Sequence, residues 1–326
     1  MLAKGCNLRV VVCAATRRRP QMLKYLLASL ATMRRPQDVE PVFLIVENDG
    51  APNSQATVEE MRPRFDGAEL HYLLEDRVGI PMARNRAIEF AVETGADLLA
   101  FVDDDEIADQ AWTDELVSAY RTSGALLLGG PVLAALPPEG SSFGKRFVHS
   151  AIARRYDEKA RKARNLAAGG RDTKVTITTG NWLASTELFT RHGLRFDEGM
   201  RFSGGSDAAF FAQVRRRRLA VKWVPDAVVR ETVPSERLTP GYQFWRALNQ
   251  SNTSFRRKLD KSALYAVSLI LTVPLRTLMV AVLFLAILPT AGRTFLSTVR
   301  GAGWIAGRLA AVFGRRSDLY VETTGH

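Results

Sequence analysis

Three adjacent carboxylates, Asp103, Asp104 and Asp105, close an apolar run from Leu98 to Val102. Side by side they repel one another and are costly to desolvate, so together they call for a cation. Hard oxygen donors suit Mg2+ or Mn2+, which keep several waters and complete their shell with substrate phosphates. The same triplet also fits a solvated acidic turn ahead of a helix near Asp109, where the helix dipole favours acids. A further carboxylate, Asp207, follows the glycine-rich turn Ser203-Gly204-Gly205-Ser206 and opens a helical stretch from about Ala208 to Arg218. There it either caps that helix or is aimed into a cleft.

The elements that must position these acids alternate in type. Leu8 to Ala15, Val42 to Val46, Leu70 to Leu74 and the run ending at Asp103 read as buried strands, being short, apolar and bounded by polar turns. Between them, Gln21 to Met33, Ser54 to Met61 and Met82 to Thr94 have helical spacing. This order predicts an α/β fold with a doubly wound, mostly parallel sheet, in which ligands bind at the carboxyl ends of the strands. Farther on, Trp112 to Tyr120 is expected as a helix, Ala125 to Val132 as a strand, Phe143 to Ala168 as a basic helix and Lys174 to Thr179 as an alternating strand. Trp182 and Trp245 are large aromatics that either pack or stack on a ligand.

Composition narrows the class. A chain of 326 residues with 46% hydrophobic and 24% charged content is globular, with room for one large domain and an appendage. The formal net charge of +11 implies an anionic partner such as a nucleotide diphosphate, anionic lipid or nucleic acid. Cys6 and Cys13 give no disulfide framework, which favours a reducing compartment. The apolar run near the N-terminus is too short for a signal core, so the catalytic domain is expected in the cytoplasm.

Five short motifs then stand in order. Ala15-Thr16-Arg17-Arg18-Arg19-Pro20 resembles a first-strand turn, Glu47-Asn48-Asp49 an acidic turn after the second strand, and Gly79 with Ala83-Arg84-Asn85 a G-x-x-x-A-R-N element. Asp103-Asp104-Asp105 resembles a D-x-D metal motif, and Phe196-Asp197-Glu198 followed by Gly205-Ser206-Asp207 resembles F-D-E then G-E-D. Over roughly residues 8 to 235 the chain resembles a family 2 glycosyltransferase of the GT-A, Rossmann-like fold, most like bacterial transferases of surface-polysaccharide synthesis. The resemblance implies a nucleotide-sugar donor, specifically a UDP-sugar, and an inverting transfer to a saccharide that is carried on a lipid. It implies Mn2+ or Mg2+ at Asp103 and Asp105, with Thr16, Arg19, Glu47, Asp49, Arg84, Asp103 and Asp104 around the donor and Asp207 as the base. Ser206 stands where the family has Glu. Gln243-Phe244-Trp245-Arg246 has the spacing of processive synthases but lacks their following Trp, which implies that one sugar is added at a time.

The C-terminal third differs in character. Ser262 to Leu275 and Thr277 to Gly292 are apolar runs divided by Arg276, each shorter than the ~20 residues a spanning helix needs. Basic flanks at Arg256-Arg257-Lys258 and Arg315-Arg316 would be drawn to anionic membrane lipids. The reading is a hairpin bent near Pro274, or a helix in the interface, followed by an amphipathic helix from Thr294 to Phe313. A buried helical appendage is the alternative. Residues 1–240 are thus expected as the catalytic domain and 241–326 as a helical region on the inner face of the cytoplasmic membrane. Two other classes fit parts of the chain. Ser206 would suit a membrane-bound saccharide-binding protein with a degenerate site. The run Arg215 to Arg218 would suit a nucleic-acid binder, but it has no interleaved aromatics, so no nucleic-acid partner is expected.

Overall fold

The structure, a computed structural model, describes residues 7–201, 205–260 and 262–313. Cys6, Ser203, Gly204, Arg315 and Arg316 lie outside the described residues. Two compact units divide the chain, one of residues 7–135 with 156–232 and one of 136–155 with 233–313. The second unit therefore begins before residue 240 and takes a segment from within the span read as catalytic.

In the first unit β1 (Leu8–Thr16), α1 (Pro20–Ala31), β2 (Val39–Glu47), α2 (Gln55–Met61), β3 (Glu69–Leu74), α3 (Ile80–Glu93) and β4 (Leu98–Val102) follow one another. The strands lie parallel in the order β3-β2-β1-β4. Period-two alternation then serves both faces of the sheet. Val10, Val12 and Ala14 pack with Leu23, Leu26 and Leu27 of α1. Val11 and Cys13 pack on the other side with Ala83, Ala87 and Ile88 of α3. All five residues of β4 are buried, so the polar residues after Val102 emerge at the sheet edge from a rigid support.

Past that edge come β5 (Glu106–Ala108), α4 (Trp112–Ser123), β6 (Leu127–Gly129), β7 (Val132–Ala134), α5 (Phe143–Ala168), β8 (Asn181–Ser185), α6 (Glu187–Thr190), α7 (Ser206–Arg216), β9 (Val221–Trp223) and β10 (Val229–Glu231). β8 enters beside β4 and runs antiparallel to both β4 and β6, while β9 is parallel to β6. β10 pairs with β5 and β7 in a small second sheet.

Two sequence expectations change here. Lys174 to Thr179 is not a strand: Val175 and Ile177 are buried as alternation predicts, but the backbone forms a short 3-10 turn and loop, and the ladder belongs to β8. Alternation reports which side chains are buried and not whether the backbone finds a partner strand. Ala125 to Val132 is broken at Gly130-Pro131, because the Pro131 carbonyl accepts from Val229 N and from Asn181 Nδ2.

The second unit is helical, built around α8 (Pro240–Leu259), α9 (Ser268–Leu285) and α10 (Phe295–Val312). Thr239 caps α8 by accepting from Tyr242 N at 3.2 Å. α10 lies against α8 through glycines: a Cβ on Gly303 would stand 2.4 Å from Phe244 O, and one on Gly307 would stand 2.1 Å from Leu248 O. The amphipathic helix expected from Thr294 to Phe313 is present as α10, with its glycine face packed on α8. The hairpin, one of the two expectations for this stretch, is not formed, since α9 is a single helix through Pro274 and Arg276. Proline there forfeits one backbone hydrogen bond, whereas a bend would leave several groups unpaired among apolar side chains. The segment Ala263–Leu285, 23 residues with mean hydropathy 2.1 and none of it buried, is long and apolar enough to cross a membrane by length and composition.

Candidate active site

The end of β4 distributes its three acids in different directions. Asp104 turns toward β1, where it accepts from Thr16 Oγ1 at 2.8 Å and from Arg19 Nη1 at 2.9 Å. The same Arg19 nitrogen lies 3.3 Å from Asp105 Oδ2. Asp103 alone stays half exposed, its side chain 50% accessible against 13% for Asp105. Its backbone N–H donates to Glu106 Oε2 at 2.8 Å, which fixes the turn from β4 into β5.

Arg19 lies against Asp104 and Asp105, and Arg84 against Asp103, yet burial still shows in the protonation of these acids. Desolvation, opposed by Arg84 and aided by the neighbouring acids, pushes Asp103 up to about 7 even though half of its side chain reaches solvent. Desolvation opposed by Arg19 pushes Asp104 up to about 6. Buried Glu106 is raised well above the usual carboxylate range by desolvation and by Asp103. A site that holds its acids partly against ionisation has room for one more positive charge.

Opposite this edge, α3 and α7 deliver the remaining groups. Gly79, at φ +151°, starts α3 and donates its N–H to Asn48 Oδ1 at 2.7 Å. One turn into α3, Asn85 grips the backbone of Phe196, accepting from its N–H at 2.9 Å and donating to its carbonyl at 3.0 Å. The Phe196 ring in turn lies 5.4 Å from the Arg84 guanidinium. Arg84 donates through Nη1 to Ser206 Oγ at 3.1 Å and to Asp207 Oδ1, and its Nη2 stands 3.7 Å from Asp103 Oδ1. Thr179 Oγ1 completes the grip on Asp207 at 2.8 Å. Gly205 in the left-handed region at φ +80° turns the chain into α7, so that Asp207 sits in its first turn with 29% of its side chain exposed.

Of the sequence-nominated residues, Thr16, Arg19, Arg84, Asp103, Asp104, Asp105 and Asp207 form two linked clusters, joined through Arg84 and Asp103. Glu47 lies elsewhere and faces inward. It is fully buried, and its carboxylate accepts from Ser54 N, Ser54 Oγ and Tyr72 Oη at 2.7, 3.1 and 2.6 Å. Those bonds anchor the start of α2. Asp49 is buried beneath Arg18, which reaches it at 2.5 Å, with Asn53 Nδ2 at 3.1 Å. The Arg18 contact holds the Asp49 carboxyl below its ordinary range. Trp182 is core, packed among Phe101, Phe196 and Phe210, while Trp245 is exposed.

Sequence reasoning missed Glu106, Thr179 and Gly180. The one available signal was the adjacency of Glu106 to the acid triplet. Gly180 must be small: a Cβ there would stand 2.7 Å from Glu106 Oε1 and 3.0 Å from Asp103 Oδ2. Gly180→Ala is therefore expected to destabilise the fold by about 1–3 kcal/mol, the usual range for overpacking, and to weaken donor binding as Asp103 is displaced. Urea unfolding and donor titration check both effects. An unchanged midpoint with unchanged affinity would show that the loop yields freely.

A divalent metal fits these residues as an open site. Among the described residues no group of three or more His, Cys, Asp or Glu is placed to hold a metal ion. Mg2+ and Mn2+ need no such group, since one or two carboxylates suffice when diphosphate oxygens and water supply the rest. Half-exposed Asp103, at the open end of β4, fits such an ion.

No protein-family profile matches the chain. It is 27% identical over 256 residues to the succinoglycan biosynthesis protein ExoM of Rhizobium meliloti, covering 78% of this chain and 77% of that one. It is 30% identical over 125 residues to a glucosyl-dolichyl phosphate glucuronosyltransferase of Haloferax volcanii, 38% of this chain and 37% of the relative. Among solved structures it is similar to the mannosyltransferase PcManGT of Pyrobaculum calidifontis, in complex with GDP-Man and Mn2+, with TM-score 0.60, 15% identity and coverage of 94% and 88%. It is also similar to TarS of S. aureus in complex with UDP, with TM-score 0.51, 13% identity and coverage of 94% and 92%. The fold is that of the GT-A transferases.

Proposed function

We propose that this GT-A-like, nucleotide-sugar-dependent glycosyltransferase adds one sugar per encounter, from a UDP-sugar to a saccharide hydroxyl, by a single inverting displacement. The acceptor is a lipid-linked saccharide, and the pathway is synthesis of a bacterial surface polysaccharide, a reading supported by the likeness to a succinoglycan biosynthesis protein. The observation that carries the chemistry is the Arg84 guanidinium between Asp103 and Asp207, which ties the acid at the strand end to the acid on α7. Asp103, with Asp105 as second donor, would hold Mn2+ or Mg2+, which when bound supplies charge neutralisation for the departing diphosphate.

The chain's own residues supply the rest. Thr16 and Arg19 hold Asp104, and Arg19 keeps positive charge beside the diphosphate path. Arg84 and Thr179 hold Asp207 by one oxygen, which leaves the other to accept the proton of the attacking hydroxyl. At Ser206 the hydroxyl in place of the family's Glu still accepts from Arg84, so the shorter side chain remains tied into the site. The exposed apolar α9 supports attachment to the inner face of the cytoplasmic membrane, with the first unit in the cytoplasm.

A panel of nucleotide sugars screened by thermal shift with Mn2+ tests the donor class. A ligand at 100 times its Kd should add about 2.7 kcal/mol to stability. A UDP-sugar should raise the midpoint, and NMR of the product should show one added sugar with inverted anomeric configuration. Retention, a polymeric product, or no response to any uridine nucleotide would overturn the reading.

A further inference from the structure

The second unit contains a pair of cations that nothing in the transfer chemistry uses. The Arg276 guanidinium of α9 stands 5.4 Å from the Trp304 ring centroid, and that of Arg308 on α10 stands 4.6 Å from the same centroid and 4.4 Å from that of Phe255. The Nε of each arginine is buried and has no hydrogen-bond partner. Among the described residues neither meets a carboxylate, and Arg276 donates to Met279 Sδ at 3.7 Å, a weak acceptor. The local sequence has little to offer them: between residues 233 and 313 two acids, Glu236 and Asp260, stand against ten Lys or Arg.

Two half-buried guanidiniums against one indole, with no counter-anion, carry a desolvation cost that stacking offsets only in part. An external anion would offset the remainder. Its chemistry is narrowed by the surroundings, because Ile270, Leu271, Leu275 and Leu278 of α9 are exposed apolar side chains. The anion must therefore tolerate an apolar neighbourhood. Arginine forks match phosphate oxygens bidentately. A phosphate attached to hydrocarbon satisfies both conditions.

We propose that Arg276 and Arg308, set against Trp304, bind the phosphate headgroup of an anionic membrane lipid whose chains lie along α9. The site rests on the membrane reading of α9 given above, but it is independent of the donor. With α9 lying along the interface, a lipid phosphate would also replace the hydration that Arg276 loses among its apolar neighbours.

Flotation of the full-length protein with vesicles tests it. Neutral vesicles of phosphatidylcholine are compared with vesicles that also contain phosphatidylglycerol. Wild type should bind both and prefer the anionic ones. Arg276→Gln/Arg308→Gln should keep neutral binding and lose more than about 100-fold of the anionic binding, beyond the ~30-fold that two diffuse surface charges account for at roughly 5-fold each. Arg276→Lys/Arg308→Lys, which keeps charge and solubility but not the fork, should fall between the two. A control, Lys258→Gln/Arg293→Gln, removes equal charge elsewhere and should lose several-fold less. Equal losses from the control and the arginine pair would overturn the site in favour of diffuse surface charge. Abolition of the anionic preference by millimolar inorganic phosphate would reassign it to a soluble anion. Wild type that floats with neither vesicle would remove the membrane reading itself, an outcome distinct from a lost preference.

Discussion

Asp103→Asn is expected to lower transfer by about 10²–10³-fold, with most of the loss appearing as weaker metal-dependent donor binding. Asparagine conserves volume and can still accept from Arg84, so the change isolates the charge. Wild type in EDTA should fall to the level of the variant, and the variant in EDTA should fall little further. A pH arm makes the assignment more specific. Because the carboxyl is pushed up to about 7, proton and metal compete for it near neutrality, and apparent metal affinity should drop as pH falls from 8 to 6. Stability moves in the opposite direction. A carboxylate whose folded pKa is raised binds more protons native than unfolded, so its contribution is present at low pH and is lost as pH rises through 7. The metal-free protein should therefore melt higher near pH 6 than near pH 8, and Asp103→Asn should flatten that slope. Transfer that survives EDTA undiminished, or a variant with wild-type rates, would remove Asp103 from metal binding.

Much of this arrangement was readable before the fold was known, and particular residues show why. The apolar run from Leu8 to Ala15 and the helical stretch from Met82 to Thr94 were legible as β1 and α3, and in the structure Val10 to Ala14 alternate between two buried faces while Ala83, Ala87 and Ile88 line one of them. The abrupt change from Val102 to Asp103 marked a strand end, and strand ends in such sheets are where sites form. What stayed hidden depends on partners distant in sequence. Glu47 and Asp49 look alike as acids after a strand, yet one is buried under Tyr72 and Ser54 while the other is buried under Arg18. Nothing local distinguishes them. Thr179 lies in a β-branched run that suggests a strand, and its role emerges only because α7 brings Asp207 to within 2.8 Å. In the second unit the spacing of Gly303 and Gly307 was a readable sign of close helix contact, but the apolar residues between them pointed to the membrane surface instead.

Asp207→Asn should have the largest effect on turnover, a fall in kcat of about 10²–10⁴-fold with donor KM changed by less than about 3-fold. The reason lies in what asparagine retains. Its carbonyl can still accept from Arg84 and Thr179, which hold the native carboxylate, so position is kept while basicity is lost. A residue acting only as an anchor would show the reverse, with KM and melting temperature shifting while kcat held. Removing this charge also takes one like charge away from Asp103, on which it acts electrostatically. The pH at which metal binding weakens should therefore shift downward in the variant, a change that loss of a base alone would not produce. Asp207→Ala adds a chemical check, because it opens space for a small carboxylate. Formate should restore part of the lost turnover if a base is missing, and should do nothing if the defect is structural. An Asp207→Asn enzyme within about tenfold of wild type, or an Asp207→Ala enzyme indifferent to formate, would return Asp207 to the role of a helix-start residue that steadies Arg84.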